Sequence, residues 1–210
     1  MGRLKKNILD AATGKIGNVV VYEMYGKTYI RSKPDSIKDK KSPAQLAQRR
    51  KMVLMIEFLR PFLRLIRLTY AHEAIGRSAY QAAQSYNLRN AIEGAYPNQV
   101  ISFKKVLFSV GSIILPETIT VTRKKDGLLF EWNPPYSPQS NNKDTLVVIA
   151  RERERHFVDY RLTGAQRSDK AYFWPTELFT YETIDVWIAF RSHQEDDMSD
   201  SLYLGSIEKT

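Results

Sequence analysis

LPETITVTRKKDGLLFEWNPP, residues 115–135, sets the architecture of the second half of the chain. Strand formers recur with a period of two over Ile119–Arg123 and Leu128–Trp132, and Lys125-Asp126-Gly127 between them is a turn signal. The same period extends to both sides. It predicts further strands over Val106–Ile113, Thr145–Arg151, His156–Arg161, Ile184–Arg191 and Ser201–Ile207. Asn133-Pro134-Pro135, the polar stretch Ser137–Lys143 and the acidic loop Gln194–Ser199 separate these runs. Short strands at this spacing predict an antiparallel sandwich from about residue 105.

Upstream the period is helical. Ser42-Pro43-Ala44-Gln45 is a helix start, with a capping Ser, a Pro suited to the first helical position and Gln completing a capping box. The helix is expected to reach the upper 60s, with Pro61 kinking or dividing it. On a helical wheel Met52, Met55, Ile56, Leu59, Phe62, Leu63 and Ile66 fill an apolar sector of about 120°. Arg49, Arg60 and Arg67 share another side. A second helix is predicted over 73–93, ended by Gly94, with Ala79, Ala82 and Ala83 permitting close packing and Tyr80 and Tyr86 read as packing aromatics. Residues 18–32 read as a β-hairpin turning at Tyr25-Gly26-Lys27, with Gly14 and Gly17 marking a bend or close approach just before it.

Charge is concentrated at the N-terminal end. Residues 1–51 hold 13 Lys/Arg against 4 Asp/Glu, which equals the whole net charge of +9. Such asymmetry points to an acidic or polyanionic partner for that end. The candidate binding residues are Lys5, Lys6, Lys15, Lys27, Arg31, Lys33, Lys38, Lys40, Lys41, Arg49, Arg50 and Lys51, with Tyr22, Tyr25 or Tyr29 available for stacking. If six cations engage phosphates, the log–log salt slope is expected at about −4 to −5. The bland counterpart is a solvated basic arm.

No catalytic constellation is legible. His72, His156 and His193 lack metal-ligating spacing, and His193 beside Glu195, Asp196 and Asp197 reads as a solvated loop. Arg151-Glu152-Arg153-Glu154-Arg155 reads as a solvated face or a hairpin end. Neither phosphate-loop nor dinucleotide glycine signatures occur, and G-x-S-x-G is absent. The expectation is therefore no enzyme, no metal, no cofactor and no evident small-molecule substrate. Zero cysteines rule out disulfide and thiolate chemistry. No apolar run of about eighteen residues predicts a membrane span, and no signal peptide is recognised, which fits a cytoplasmic or virion location.

The stretch 115–135 resembles the opening of a fibronectin type III or related immunoglobulin-like domain, with Trp132 in the place of the buried strand-B tryptophan. TIDVWIAFRS (183–192) resembles the late central strand of such a domain, and SLYLGSIE (201–208) the closing one. No clear tyrosine-corner sequence accompanies them. Across nearly its whole length the chain also resembles an uncharacterised family of bacterial proteins of about this length. The matching features are Gly14–Val20, Arg31–Pro34, Gln45–Arg50, Ala82–Leu88, Tyr96–Asn98 and Ser199–Gly205. A looser similarity joins its Gly-Asn-Val, Arg-x-x-Pro and Gln-x-x-x-Arg succession to phage and prophage proteins of unassigned role.

These readings combine into an α+β protein. Residues 1–104 are expected to form a basic β-hairpin and two-helix module, and residues 105–210 an all-β immunoglobulin-like sandwich. The expected function is a non-catalytic structural or assembly protein, of a phage or related particle, docking through its basic end. A protein partner or self-assembly is implied. The alternative is a sequence-independent nucleic-acid-binding protein.

Overall fold

A computed structural model describes residues 2–3, 13–34, 39–133, 141–177, 181–194 and 196–209. In the first 42 residues the described strands are β1 (Gly2–Arg3), β2 (Gly14–Ile16), β3 (Val19–Met24) and β4 (Lys27–Ser32). They form one antiparallel sheet in the order β1-β4-β3-β2. Val, Tyr and Ile suit β3 and β4 to a pleated surface. Tyr25 and Gly26 join them with φ of 52° and 67°, the two left-handed residues of a type I′ turn, whose twist matches that of the strands. The predicted hairpin is thus the centre of a larger sheet. Of the segment expected to hold a bend or close approach, Gly14-Lys15-Ile16 is one of the sheet's strands and the turn falls at Gly17-Asn18, with φ of 59° at Gly17.

Residues 43–210 form a second compact unit. Its helical part begins with α1 (Pro43–Leu59), a 3₁₀ turn (Arg60–Phe62) and α2 (Leu63–Thr69). Pro61 lies in the 3₁₀ turn, where its missing N–H ends the α1 ladder. Met55, Phe58, Leu59, Phe62, Leu65, Ile66 and Thr69 are buried. Their i, i+3, i+4, i+7 spacing runs straight through Pro61 as one stripe about 120° wide. The sector predicted from sequence is rotated from this stripe. It counted Met52, Ile56 and Leu63, which are half-buried or exposed, and left out Phe58 and Leu65. Apolar residues lie so densely over 52–66 that hydrophobicity alone did not choose between the two edges.

The next helix, α3 (Ala79–Asn90), starts six residues later than expected. The Ser78 hydroxyl accepts from the Gln81 N–H at 3.1 Å, and the Gln81 side-chain oxygen accepts from the Ser78 N–H at 3.0 Å. This reciprocal cap fixes the helix start. Ala79, Ala82 and Ala83 are buried as expected. The chain then makes a short ladder of β5 (Ile92–Glu93) with β6 (Val100–Ile101).

The remaining strands are β7 (Ile119–Lys124), β8 (Gly127–Trp132), β9 (Thr145–Glu152), β10 (Val158–Gln166), β11 (Ala171–Pro175), β12 (Thr183–Arg191) and β13 (Leu202–Glu208). They form a three-stranded sheet, β11-β8-β7, and a four-stranded sheet, β10-β9-β12-β13. Leu128, Phe130, Trp132 and Trp174 of the first share a core with Leu146, Val148, Ile184, Val186, Ile188 and Phe190 of the second. The other face of β9 and β12 carries Val147, Ile149, Trp187 and Ala189. These residues are buried with Met55, Phe58, Phe62 and Ala83 of the helices. β9 and β12 are therefore covered on both faces, which explains their continuous apolar runs.

The unit has three layers: helices, a four-stranded sheet and a three-stranded sheet. The expected boundary at 104/105 does not divide it, because the helices bury their apolar stripe on the four-stranded sheet. The division falls between Ser42 and Pro43.

Beyond residue 105 one predicted strand is missing and one was unforeseen. Val106–Ile113 is not a ladder strand, because side chains take its backbone groups. Asn87 accepts from the Leu107 N–H and donates to the Leu107 carbonyl, both at 2.9 Å. Thr69 Oγ1 donates to the Phe108 carbonyl at 2.5 Å, and the Phe108 N–H donates to Ser201 Oγ at 2.8 Å. The unforeseen strand is β11, whose sequence AYFWP ends on a proline. With helices and antiparallel sheets in one chain, the protein is α+β.

Candidate functional site

Residues directly opposed across antiparallel strands share a face. In the N-terminal sheet Lys15 of β2 opposes Val20, and Val20 opposes Arg31 of β4. One step along, Tyr22 opposes Tyr29, and beyond them Met24 opposes Lys27. One face therefore carries Lys15, Arg31 and Lys27 around an aromatic pair. The three cations are exposed and the two tyrosines half-buried. The rings are offset-stacked, with centroids 5.7 Å apart and planes at 20°. The Arg31 guanidinium carbon lies 6.0 Å from the Tyr22 ring centroid, at the limit of cation–π contact. The opposite face holds Val19, Val21 and Ile30, and Val21 is wholly buried.

Among the described residues, β2, β3 and β4 contain none of the other predicted cations. Lys33 follows β4, where its N–H donates to the Asn18 carbonyl at 2.6 Å. Lys40 and Lys41 are exposed ahead of α1, and the Lys41 N–H donates to Asp39 at 3.2 Å. Arg49, Arg50 and Lys51 are consecutive on α1, in the other compact unit. At about 100° per residue they fan around the helix instead of sharing a side. Lys5, Lys6 and Lys38 lie outside the described residues. Tyr25 occupies the hairpin turn itself.

A polar cluster on the helix-facing side of the four-stranded sheet escaped the sequence reading. Arg151, Asp185 and Ser206 align across β9, β12 and β13. The wholly buried Asp185 carboxylate accepts Arg153 at 2.8 and 3.2 Å, the Tyr203 hydroxyl at 2.6 Å and Ser206 Oγ at 2.6 Å. Burial and the hydrogen bond to Asp185 raise the Tyr203 phenol, while the same carboxylate raises the Arg153 guanidinium. Arg151 and Arg153 lie over the Phe103 ring at 5.5 and 5.8 Å, and Arg151 over Phe58 at 4.9 Å. Asp185 matches Arg153, while the Arg151 guanidinium donates to His156 Nδ1 at 2.8 Å beside the two rings, so the cluster reads as a polar clasp between sheet and helices. Its only sequence signal is a lone aspartate within the apolar run IDVWIAF.

The segment RERER is a hairpin end, one of the two readings expected of it, with Arg153, Glu154 and Arg155 exposed. Glu152 is buried and accepts the backbone N–H groups of Glu154, at 2.6 Å, and Arg155, closing the hairpin turn. In the acidic loop, Asp197 accepts Ser112 Oγ, the Ser112 N–H and the Met198 N–H. Burial pushes its carboxyl upward, but these bonds outweigh it and hold the carboxyl below its usual range. Among the described residues no three His, Asp or Glu side chains are grouped to hold a metal ion, and no helix is long and apolar enough to cross a membrane.

The fold and this face define an α+β protein that pairs a small basic sheet with a three-layer unit. The chain belongs to the family of unknown function DUF6266, whose profile matches residues 11–205. No curated protein and no solved structure matches it.

Proposed function

We propose that this is a non-catalytic assembly or docking protein that engages a polyanionic surface through its N-terminal sheet. The observation carrying this reading is the Lys15, Lys27 and Arg31 face, three exposed cations on one side of an ordered sheet. An ordered cationic face loses less conformational entropy on binding than a loose arm. The three-layer unit then serves as a rigid second contact body. Its strand order, three strands β11-β8-β7 facing four strands β10-β9-β12-β13, and the buried Trp132 support a fibronectin type III-like arrangement for residues 115–208. The setting proposed is a multi-copy particle, phage or phage-related.

The test is binding to heparin, as a generic polyanion, across a salt series. Three contacts predict a log–log slope of about −2 to −3, shallower than six would give. A Lys15→Glu/Arg31→Glu variant should abolish most of the affinity; unchanged affinity would remove the reading. Light scattering at high concentration should show a regular oligomer, and a clean monomer would count against assembly. A second reading, sequence-independent nucleic-acid binding, is favoured by the Tyr22/Tyr29 pair set among those cations.

A further inference from the structure

We propose that the cation–aromatic face of the N-terminal sheet binds single-stranded nucleic acid, with bases stacking on Tyr22 and Tyr29 and phosphates held by Lys27 and Arg31. The inference rests on the polyanion reading and narrows it to one polymer.

The pattern on β4 carries the argument. Lys27, Tyr29 and Arg31 occupy alternate positions and so point to one side of the sheet. Each step along that face is about 6.7 Å, so the two cations bracket the ring about 13 Å apart. Tyr22 on β3 widens the central platform, its ring 5.7 Å from that of Tyr29 and tilted 20° from it. Lys15 adds a third charge at the Arg31 end, in the row that runs Lys15, Val20, Arg31. The surface thus alternates charge, flat ring, charge.

A single strand offers the complementary succession: anionic phosphates along a backbone, with unstacked bases beside it. A third ring can extend the stack that the two tyrosines have begun, and it can be any base, because every base has a π-face. A duplex keeps its base faces inside its own stack and presents only phosphates and groove edges. An acidic protein surface supplies the charge but no regular succession of anion and ring along one chain. Arg31 serves twice on this face, as a cation for phosphate and as a guanidinium beside the Tyr22 ring.

The test uses the full chain and fluorescence anisotropy. The probes are a mixed-sequence DNA strand of roughly 12 nucleotides, within the usual span of such sites, the same strand annealed to its complement, and heparin. At equal salt the single strand should bind about tenfold more tightly than the duplex. A Tyr22→Leu/Tyr29→Leu variant should lose about tenfold or more for the single strand and keep its heparin affinity. The Tyr22→Phe/Tyr29→Phe variant should match the wild type.

An equal loss for heparin and single strand in the Leu variant overturns the proposal. So does heparin binding with no preference for the single strand, and that outcome leaves the docking reading standing. Loss of heparin and strand binding alike by the unaltered chain defeats both. If the Leu variant fails to fold by circular dichroism, photo-crosslinking of a bromodeoxyuridine-substituted strand decides. Adducts on Tyr22 or Tyr29 support the platform, and adducts confined to other residues overturn it.

Discussion

The two compact units differ in what burial does for them. In residues 43–210, β9 and β12 are covered on both faces, and two apolar clusters hold three layers together. In residues 1–42, Val21 is the one wholly buried apolar side chain among the described residues, and most of the others are exposed. The charge follows the same division. In the larger unit Arg153 pairs with Asp185 at 2.8 Å, and the wholly buried Arg167 has the Asp144 carboxylate at 3.7 Å and the Phe190 ring at 4.2 Å. On the small sheet, Lys15, Lys27 and Arg31 stand exposed on one face. Cations that serve packing are neutralised where they are buried, and cations kept at the surface remain able to meet a partner.

The largest effect expected comes from breaking the three-layer core. Phe108 packs at 4.4 Å from the Phe62 ring and 5.1 Å from the Trp187 ring. Phe108→Ala should cost about 3–5 kcal/mol in denaturant unfolding. A loss typical of a surface site would mean that helices and sheet do not share one core. Asp185→Ala should follow at about 1–3 kcal/mol, because it strips Tyr203 and Ser206 of their acceptor. The cost stays below that of a fully buried ion pair because the Arg153 side chain is 48% exposed and takes up water instead. Asp185→Asn, which keeps a carbonyl acceptor, should cost less.

A smaller, pH-dependent effect is expected at Asp197. Its carboxyl is held below the unfolded value, so its contribution is fully present above about pH 4 and is lost as pH falls through the lower folded value. Asp197→Asn should therefore flatten the fall in stability below pH 4 and leave the slope near neutrality unchanged, read from melting temperatures across the acid range. Smallest of all should be the effect on stability of Lys15→Glu/Arg31→Glu, within about 0.5 kcal/mol per site, alongside its large effect on polyanion binding. A large stability loss in that variant would blur the contrast between the units, since it would make the cations structural.

Much of this was legible in the chain. The turn at Tyr25-Gly26, the break at Pro61 and, β11 apart, the strand runs from Ile119 to Ile207 all follow from signals within a few residues. So does the location of the positive charge. The site was legible in part. The residues of β2, β3 and β4 were named, yet only register places Lys15 beside Val20 and Arg31. Val106–Ile113 has the composition of a strand, and its backbone groups are taken by Thr69, Asn87 and Ser201, which lie far away in the chain. Gly111 gave no signal either, though a Cβ there would stand 1.9 Å from the Met198 carbonyl oxygen.

Local chemistry thus determined which segments become helix, strand or turn, because backbone preference and apolar period act over one or two turns of chain. It also determined where the charge lies. Tertiary structure alone decided that the helices share a core with the four-stranded sheet, that Asp185 meets Arg153 across 32 residues of sequence, and that three of the basic residues stand around two tyrosines. Those outcomes depend on strand register and on which faces find apolar cover. Both are properties of packing between distant segments, and neither is written in the residues next door.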